Sequence, residues 1–251
     1  ETRVVMLLAD IGNTRIKWAL ARGRELSGYG VAVHLGRLPM EVWRSVWGDV
    51  PRLQRVVISN VAGATVADSV RDYFQQQFQL IPEFMTPSLR AGGVANGYAD
   101  PAQLGADRWA AAVGAFSLYG GPVCVLGCGT ALTMDTVNRD GRHLGGLIAP
   151  GLGAMQRALS AAAPALPTDV DGPPALFARD TRTAVSSGVL YAAVGFIERV
   201  SAEVRAREGR AIKMLLTGGD AETLQPWLHE RFTLAPHLVL EGLAVLAKLR
   251  T

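Results

Sequence analysis

The stretch Asp10–Lys17, D-I-G-N-T-R-I-K, places a carboxylate and a glycine turn between two predicted strands. The apolar run at residues 4–9 has the length of a strand that is buried on both faces. Residues 16–20 alternate between apolar and other side chains, which predicts a second strand that returns at once. The stretch therefore predicts a tight hairpin with Asp10 at the end of its first strand.

The residue types in this turn suit a phosphate and its metal ion. Glycine adopts a positive φ without steric penalty, so Gly12 would let its own N–H and those of Asn13 and Thr14 converge on an anion. The Asp10 carboxylate would suit a hydrated Mg²⁺ that bridges phosphate oxygens. An ordinary hairpin turn uses the same residue types, so the octapeptide alone leaves both interpretations open.

Length and composition are typical of a folded protein. The chain has 251 residues, 49% hydrophobic and 19% charged, which suffices for two modest domains. The net charge of +3 is dispersed, so we expect neither a nucleic-acid partner nor a membrane surface. We find no signal-peptide pattern and no run of about 18 apolar residues, and we expect a cytoplasmic protein. The chain begins with Glu1, so we expect its initiator methionine to have been removed or replaced.

Hydrophobic periodicity predicts α/β layering with a mixed sheet in the first half. After the hairpin we expect a third strand at 26–33, helices at 40–47 and 64–78, and a buried strand at 55–61. A short extended piece would follow at 82–87. A turn-rich loop at 95–109 then leads into an alanine-rich helix that ends near Gly120.

Asp107 falls in the first turn of this alanine-rich helix. An acid at that position favours the helix dipole by about 0.3–1 kcal/mol and needs no catalytic role. Tyr98 would likewise suit an ordinary loop anchor, and Arg108 a solvated surface charge. These structural interpretations stand beside the functional ones.

The second half opens as the first does, with a strand at 122–126, a glycine turn at 127–130 and a returning strand at 131–137. This weak internal repeat predicts two phosphate-binding hairpins that clamp a polyphosphate. We therefore divide the chain into lobes 1–120 and 121–251. The remaining predicted elements are a strand at 144–149, a helix after Gly151, an irregular connection at 161–180, helices at 181–208 and 238–249, and a strand at 212–217.

Several chemistries lack their motifs in this sequence, including P-loop, serine-hydrolase and zinc-protease chemistry. Cys124 and Cys128 lie four residues apart in one predicted strand, too far for a disulfide, and we expect buried free thiols. The four histidines have no obvious acid or nucleophile beside them, and we expect each to be structural or exposed: His34, His143, His229 and His237. The chemistry must then depend on carboxylates, glycine turns and main-chain donors.

Four motifs in order resemble the type III pantothenate kinase family, within the acetate and sugar kinase, Hsp70 and actin superfamily. They are DIGNTRIK at 10–17, YADPAQLGADR at 98–108, GTALTMD at 129–135 and GGLIAPG at 145–151. The resemblance implies actin-like ATPase architecture: two ribonuclease-H-like lobes, each a mixed sheet flanked by helices, with the nucleotide in the cleft between them. It also implies ATP-dependent phosphorylation of pantothenate, the first step of coenzyme A synthesis. A homodimer with Mg²⁺ and a monovalent cation, K⁺ or NH₄⁺, would perform it.

The resemblance also implies roles for individual residues. Asp107 would accept the proton of the pantothenate hydroxyl, which requires a carboxylate within hydrogen-bond reach of that oxygen. Arg108 would pair with the pantothenate carboxylate, Tyr98 would lie along the pantoyl or amide portion, and Gly105 belongs to the same substrate motif. Thr181 matches the position that reaches pantothenate across the dimer interface. The transferred phosphate would face Gly12, Asn13, Thr14 and Lys17. The other phosphates would contact Gly129 and Thr130. The adenosine would approach the backbone at Gly218 and Gly219.

Gly127 departs from the family pattern, in which the second phosphate turn usually begins with Asp. The missing carboxylate would weaken the monovalent cation site near Gly127. Two alternatives to the pantothenate kinase remain. One is a kinase of another small carboxylated hydroxy compound, and the other is a nucleotide-binding regulator with weakened catalysis.

Overall fold

A computed structural model describes residues 5–23, 25–34, 40–167, 173–230 and 232–248. The chain divides into two compact units. Unit 1 takes the described parts of residues 1–120, 141–143 and 237–251, and unit 2 takes residues 121–140 and the described parts of 144–236. The lobes predicted from the sequence were 1–120 and 121–251. The units differ from them in one main respect, because the last helix belongs to unit 1.

Groups of strands are followed by helices along the chain. The strands are β1 Val5–Ile11, β2 Arg15–Arg22, β3 Glu25–Val33, β4 Arg55–Asn60, β5 Glu83–Phe84, β6 Arg90–Ala91, β7 Val94–Ala95, β8 Val123–Cys128, β9 Ala131–Val137, β10 His143–Pro150, β11 Lys213–Thr217 and β12 Thr233–Leu234. The helices are α1 Met40–Trp47, α2 Ala64–Phe78, α3 Ala106–Tyr119, α4 Leu152–Ala162, α5 Thr181–Glu208, α6 Ala221–Leu224 and α7 Leu238–Lys248. Short 3₁₀ helices form at Pro101–Gln103 and Gln225–Trp227.

Each unit contains a five-stranded mixed sheet, and the two sheets have the same topology. The strand order is β3-β2-β1-β4-β5 in unit 1 and β10-β9-β8-β11-β12 in unit 2. In unit 1, β1 pairs antiparallel with β2 and parallel with β4. In unit 2, β8 pairs antiparallel with β9 and parallel with β11. The predicted α/β class with two mixed sheets flanked by helices is confirmed.

Side-chain alternation in β1 decides which way Asp10 points. Leu7, Ala9 and Ile11 belong to a buried cluster with side chains of α1 and α2. Because successive residues of a strand face opposite sides, Leu8 and Asp10 face the other side of the sheet. Helices α3 and α7 contact the strands of this sheet on that second side. The sheet therefore separates its largest aromatic core from the Asp10 carboxylate.

Helices α3 and α7 approach closely through glycines, which explains why the last helix belongs to unit 1. A Cβ atom on Gly242 of α7 would lie 1.8 Å from the Ala110 carbonyl oxygen of α3. A Cβ on Gly114 of α3 would lie 2.8 Å from the Leu238 carbonyl oxygen of α7. Neither position leaves space for a side chain, so the helix backbones touch directly and α7 fixes the position of α3.

The predicted elements agree with the structure within a few residues, apart from short pieces. The extended piece at 82–87 contains only the two-residue strand β5, and the hairpin of β6 and β7 was not predicted. Part of the predicted connection at 161–180 and the last residue of the predicted final helix lie outside the described residues. Both cysteines are buried free thiols, as expected. Among the described helices, none is long and apolar enough to cross a bilayer.

Candidate active site

The first turn forms as predicted, but its glycine behaves differently from the prediction. The register of β1 and β2 pairs Asp10 with Lys17 and Ile11 with Ile16. Gly12 does not have a positive φ, and its N–H donates to the Arg15 carbonyl oxygen at 3.0 Å. The prediction that this N–H converges on an anion was therefore wrong, because closing the hairpin uses it. The Asn13 amide lies at the exposed tip of the turn.

The Asp10 carboxylate lies in a shielded position at the end of β1. The residue as a whole is half-buried, but its Oδ1 atom is buried and makes no hydrogen bond. Ser59 of β4 pairs with Asp10 in the sheet. The Ser59 hydroxyl lies near enough to lower the Asp10 pKa, although its oxygen makes no hydrogen bond among the described residues.

The pKa of Asp10 is raised to about 7. Burial is the largest cause, and the neighbouring Asp107 carboxylate is the second, while Ser59 and Lys17 oppose the rise. Both effects penalise the charged carboxylate, as expected for an acid that loses water and faces a second acid. Asp10, Asp107 and Lys17, which the sequence separates by up to 97 positions, are thus brought into one electrostatic environment.

Asp107 stands in the first turn of α3, as predicted, and its side chain is held in place. Its Oδ1 accepts a hydrogen bond of 2.8 Å from the Arg108 backbone N–H. A Cβ on Gly105 would lie 2.6 Å from the same Oδ1, although Gly105 has an ordinary φ of −58°. Position 105 therefore requires glycine because a side chain there would collide with the Asp107 carboxylate, and not because of an unusual backbone conformation.

Arg108 and Tyr98 form a pair beside Asp107. The Arg108 guanidinium donates from Nη1 to the Tyr98 hydroxyl at 3.1 Å, and its Cζ lies 5.8 Å from the Tyr98 ring centroid. Arg108 is only 7% exposed, so the alternative interpretation of a solvated surface charge is wrong. Guanidinium groups are rarely buried, and those that are bind anions with directed donors.

His143 supports the Tyr98 ring from another side. The two rings stack with centroids 5.9 Å apart, and His143 is fully buried. A Cβ on Gly97 would lie 1.9 Å from the His143 carbonyl oxygen, so the two backbones touch there. The Tyr98 N–H donates to the Asn96 side chain at 3.0 Å. Tyr98 is therefore fixed at both its backbone and its ring.

In unit 2, the second glycine turn meets the end of β11 and the start of α4. The Gly151 N–H donates to the Thr130 carbonyl at 3.1 Å, and a Cβ on Gly151 would lie 2.0 Å from the Gly129 carbonyl oxygen. Gly218 has a φ of +104°, and a Cβ there would lie 2.1 Å from the Cys128 carbonyl oxygen. The structure thus brings together three glycine-containing segments of the sequence.

Open space remains on one side of this cluster. A Cβ on Gly129 would meet nothing within 4 Å, and Thr130 is exposed. Gly219 follows Gly218 directly at the end of β11. At Gly127, by contrast, a Cβ would lie 2.4 Å from the Thr133 Oγ1 atom on the paired strand. The Thr133 hydroxyl therefore occupies the space that a side chain at position 127 would need.

Thr181 is the exposed first residue of α5, and the Asp180 side chain caps this helix by accepting a 2.8 Å bond from the Thr183 N–H. The predicted site residues thus fall into two groups. Unit 1 holds those around Asp10 and Asp107, and unit 2 holds those around Gly129 and Gly218 together with Thr181. Their joint action on one nucleotide stays a prediction.

Sequence comparison identifies the family. A sequence profile of type III pantothenate kinases matches residues 6–203. A type III pantothenate kinase from Nitrosococcus oceani is 38% identical over 251 aligned residues, covering 97% of this chain and 94% of the relative. The chain belongs to the type III pantothenate kinase family. The resemblance carried by the four motifs is thereby confirmed.

Solved structures show the same fold at low sequence identity. A Campylobacter jejuni protein proposed to be a Baf family transcriptional activator has a TM-score of 0.61 at 21% identity, covering 97% of this chain and 98% of that one. A Chromobacterium violaceum protein proposed to be an N-acetylglucosamine kinase has a TM-score of 0.52 at 12% identity, with coverages of 98% and 99%. At these identities the likeness concerns the fold alone.

The sequence of this pantothenate kinase family member predicted histidines that are structural or exposed, and two of them are buried, but it did not predict their contacts. His143 lies under Tyr98, and the Nε2 atom of His34 lies 2.6 Å from the Gly12 carbonyl oxygen. A signal for His34 existed, because the antiparallel pairing of β2 and β3 places the end of β3 beside the first turn. For His143, 45 positions from Tyr98 in the sequence, no local pattern pointed to the contact.

The raised pKa of Asp10 predicts a pH-dependent penalty on folding without nucleotide or metal. The folded pKa of about 7 exceeds the unfolded value of 3.8, so this group stabilises the fold least above pH 7 and the penalty disappears towards pH 4. We expect Asp10→Asn to be more stable than the wild type at pH 8, by on the order of 2–4 kcal/mol. The two proteins should converge near pH 4. Urea unfolding in EDTA from pH 4 to 8 measures this, and parallel stability curves would contradict it.

Proposed function

We propose that this chain transfers the γ-phosphoryl group of ATP to pantothenate, giving 4′-phosphopantothenate and ADP, the first step of coenzyme A biosynthesis. The name of its curated relatives and the family profile support the substrate. The observation that carries the chemistry is the setting of Asp107, which faces the Asp10 carboxylate and adjoins the Arg108–Tyr98 pair. A base thus adjoins both a candidate metal ligand and a candidate substrate anchor.

Asp107 is the proposed general base. As the pantothenate hydroxyl oxygen forms its bond to the γ-phosphorus, the bond from that phosphorus to the bridging oxygen of ADP breaks. The hydroxyl proton passes to the Asp107 carboxylate. Phosphoryl transfer requires mainly positioning and charge neutralisation. Lys17 is a suitable cation for the transferred group, because it lies close enough to Asp10 to affect the pKa of that residue.

The residues around Asp10 fit a magnesium ion. Its buried Oδ1 makes no hydrogen bond among the described residues, and carboxylate oxygens are the ligands that Mg²⁺ prefers. No cluster of three or more acids, histidines or cysteines occurs in the part of the chain that the structure describes, and Mg²⁺ is commonly held by one or two carboxylates plus phosphates. When bound, the ion would neutralise phosphate charge, and Asp10 would hold it.

Arg108 and Tyr98 are the proposed anchors for the acceptor. A buried guanidinium is a directed partner for a carboxylate, which pantothenate carries. Tyr98 adds a hydroxyl and an apolar ring face that would lie along the pantoyl or amide portion. Gly105, whose backbone lies close to Asp107 and Arg108, would bring main-chain atoms near the bound acceptor. A kinase of another small carboxylated hydroxy compound would use the same anchors, and a panel of such acceptors separates the two.

The glycine cluster of unit 2 is the proposed contact for the rest of the nucleotide. Gly129 has open space where a side chain would stand, and Thr130 is exposed beside it. These positions would contact phosphates, and Gly218 with Gly219 would let the adenosine approach the backbone. We propose ATP as the co-substrate on this basis, together with the kinase family name.

Asp107→Asn tests the general base. We expect kcat to fall by about 10³-fold or more, because a side chain amide cannot accept the proton. The fold should persist, since Asn retains the Oδ1 acceptor for the Arg108 N–H and has the size of Asp. A coupled ADP-release assay with pantothenate measures the rate, and thermal unfolding measures the fold.

Asp72→Asn, an exposed acid on α2 in the same unit, serves as the matched control and should leave the rate unchanged. An unchanged rate in Asp107→Asn would remove Asp107 from the mechanism. A wild type that binds ATP but turns over no acceptor would instead support the alternative of a regulator, which Gly127 motivates.

We also propose that the monovalent cation site is weakened, since Gly127 lacks the carboxylate and Thr133 Oγ1 takes its space. Replacing Na⁺ by K⁺ or NH₄⁺ should raise the wild-type rate by less than about twofold, because one charged ligand is missing. The double variant Gly127→Asp/Thr133→Ala, which supplies the carboxylate and its space, should gain activation. Gly127→Ala/Thr133→Ala is its control. Full activation of the wild type by K⁺ would contradict the proposal.

A homodimer is proposed from the exposed apolar surface of unit 2. Leu144, Leu147 and Ile148 of the edge strand β10 are 45–66% exposed, and Phe177, before α5, is 86% exposed. Exposed large apolar side chains often mark protein contacts, and in the proposed dimer a second copy would cover them. Thr181, beside Phe177 in the sequence, would then reach the site of the partner.

Ile148→Asp should convert the dimer to monomers, because a charge cannot be buried unpaired in an apolar interface. Val31→Asp is the matched control, since Val31 is similarly exposed, at 61%, on the edge strand β3 of unit 1. Sedimentation equilibrium measures the mass of each. A monomeric wild type, or equal dissociation by both substitutions, would contradict this interface.

A further inference from the structure

His34 connects the end of β3 to both sides of the first turn. It is 3% exposed, and its ring Nε2 lies 2.6 Å from the Gly12 carbonyl oxygen. Its backbone N–H donates to the Thr14 carbonyl oxygen at 3.0 Å. Because a carbonyl oxygen only accepts, Nε2 carries the proton of this hydrogen bond. One buried residue thus holds the carbonyl groups on either side of Asn13.

Holding the Gly12 carbonyl also fixes the Asn13 amide. The peptide unit that joins residues 12 and 13 is planar and trans, so its C=O and N–H point in opposite directions. While the Gly12 carbonyl points to His34, the Asn13 N–H must point away from His34. His34 therefore selects the orientation of a main-chain donor at the exposed tip of the turn.

The sequence at this turn needs such an external restraint. Glycine tolerates almost any backbone conformation, and asparagine is among the residues that most readily tolerate a left-handed one. A Gly-Asn peptide unit can therefore flip at little steric cost. The Gly12 N–H donates to the Arg15 carbonyl oxygen. This bond lies on the other side of the Gly12 Cα atom and does not restrain the Gly12–Asn13 peptide unit.

We propose that His34 is a positioning residue for phosphoryl transfer, which keeps the Asn13 N–H directed at the transferred phosphate. This inference rests on the proposed function and on the role that the family resemblance implies for Asn13, which would face that phosphate. His34 itself touches no substrate in this account. Its contribution is to remove the flipped conformation of the Gly12–Asn13 peptide unit before ATP binds, so that less ordering remains to be done on binding.

The test compares substitutions by the reach of their side-chain donors. The Gln amide nitrogen can occupy the place of His Nε2, whereas Leu has no donor and the Asn amide is too short. We expect His34→Leu and His34→Asn to lower kcat/KM for ATP by about 10-fold or more, as for loss of one oriented donor. His34→Gln should stay within about threefold of the wild type, and KM for pantothenate should stay within about twofold in all three. His229→Leu, at a histidine of unit 2 that is 88% exposed, is the control and should change nothing.

Three results would overturn the proposal: an unchanged kcat/KM for ATP in His34→Leu, equal losses in the Gln and Asn variants, or parallel changes in both KM values. If His34→Leu fails to fold, the comparison of Gln with Asn decides alone. A wild type that does not phosphorylate pantothenate would refute the proposed function instead. In that case the affinity for a non-hydrolysable ATP analogue with Mg²⁺, weaker in Asn than in Gln, still tests His34.

Discussion

The proximity of two carboxylates, Asp10 and Asp107, is the constraint on which the rest of unit 1 depends. Asp10 loses favourable interaction with water, and the Asp107 carboxylate raises the free energy of its charged form further. The isolated fold therefore favours a protonated Asp10 near neutral pH. A bound cation would reverse this preference, since it would favour the charged carboxylate more strongly than Ser59 and Lys17 do. The instability of the site without ligands and its affinity for a cation have the same physical origin.

Such a pair persists only if the surrounding elements hold it, and here glycines permit that. Asp10 is held in a sheet between β2 and β4. Asp107 is held by α3, whose backbone contacts α7 directly at Gly114 and Gly242. Unit 2 uses the same device at Gly151 and Gly218, where backbone meets backbone. The two units share one strand order, but the first turn follows a carboxylate and the second follows Gly127.

The sequence predicted what depends on local pattern. It predicted the hairpin at 10–17, the longer strands of both sheets within a few residues, and Asp107 in the first turn of its helix, but it did not predict the two-residue strand β12. It did not predict the use of the Gly12 N–H within the hairpin, because that depends on the exact closure of the turn. It also did not predict the contacts of His34 and His143 or the burial of Arg108. Each of these depends on contacts between segments 10 to 45 positions apart, for which single-residue patterns carry no signal.

Arg108 links the two tasks proposed for unit 1. Its backbone N–H binds the Asp107 carboxylate, and its side chain binds the Tyr98 hydroxyl. Both contacts come from one residue at the start of a helix, which would couple the proposed base to the proposed acceptor anchor. An acceptor carboxylate that draws the guanidinium towards itself would also adjust the backbone that orients Asp107. Because His143 stacks on Tyr98 and its backbone presses on Gly97, this movement is confined to a small range. Binding of the proposed acceptor and alignment of the proposed base would then be coupled through Arg108.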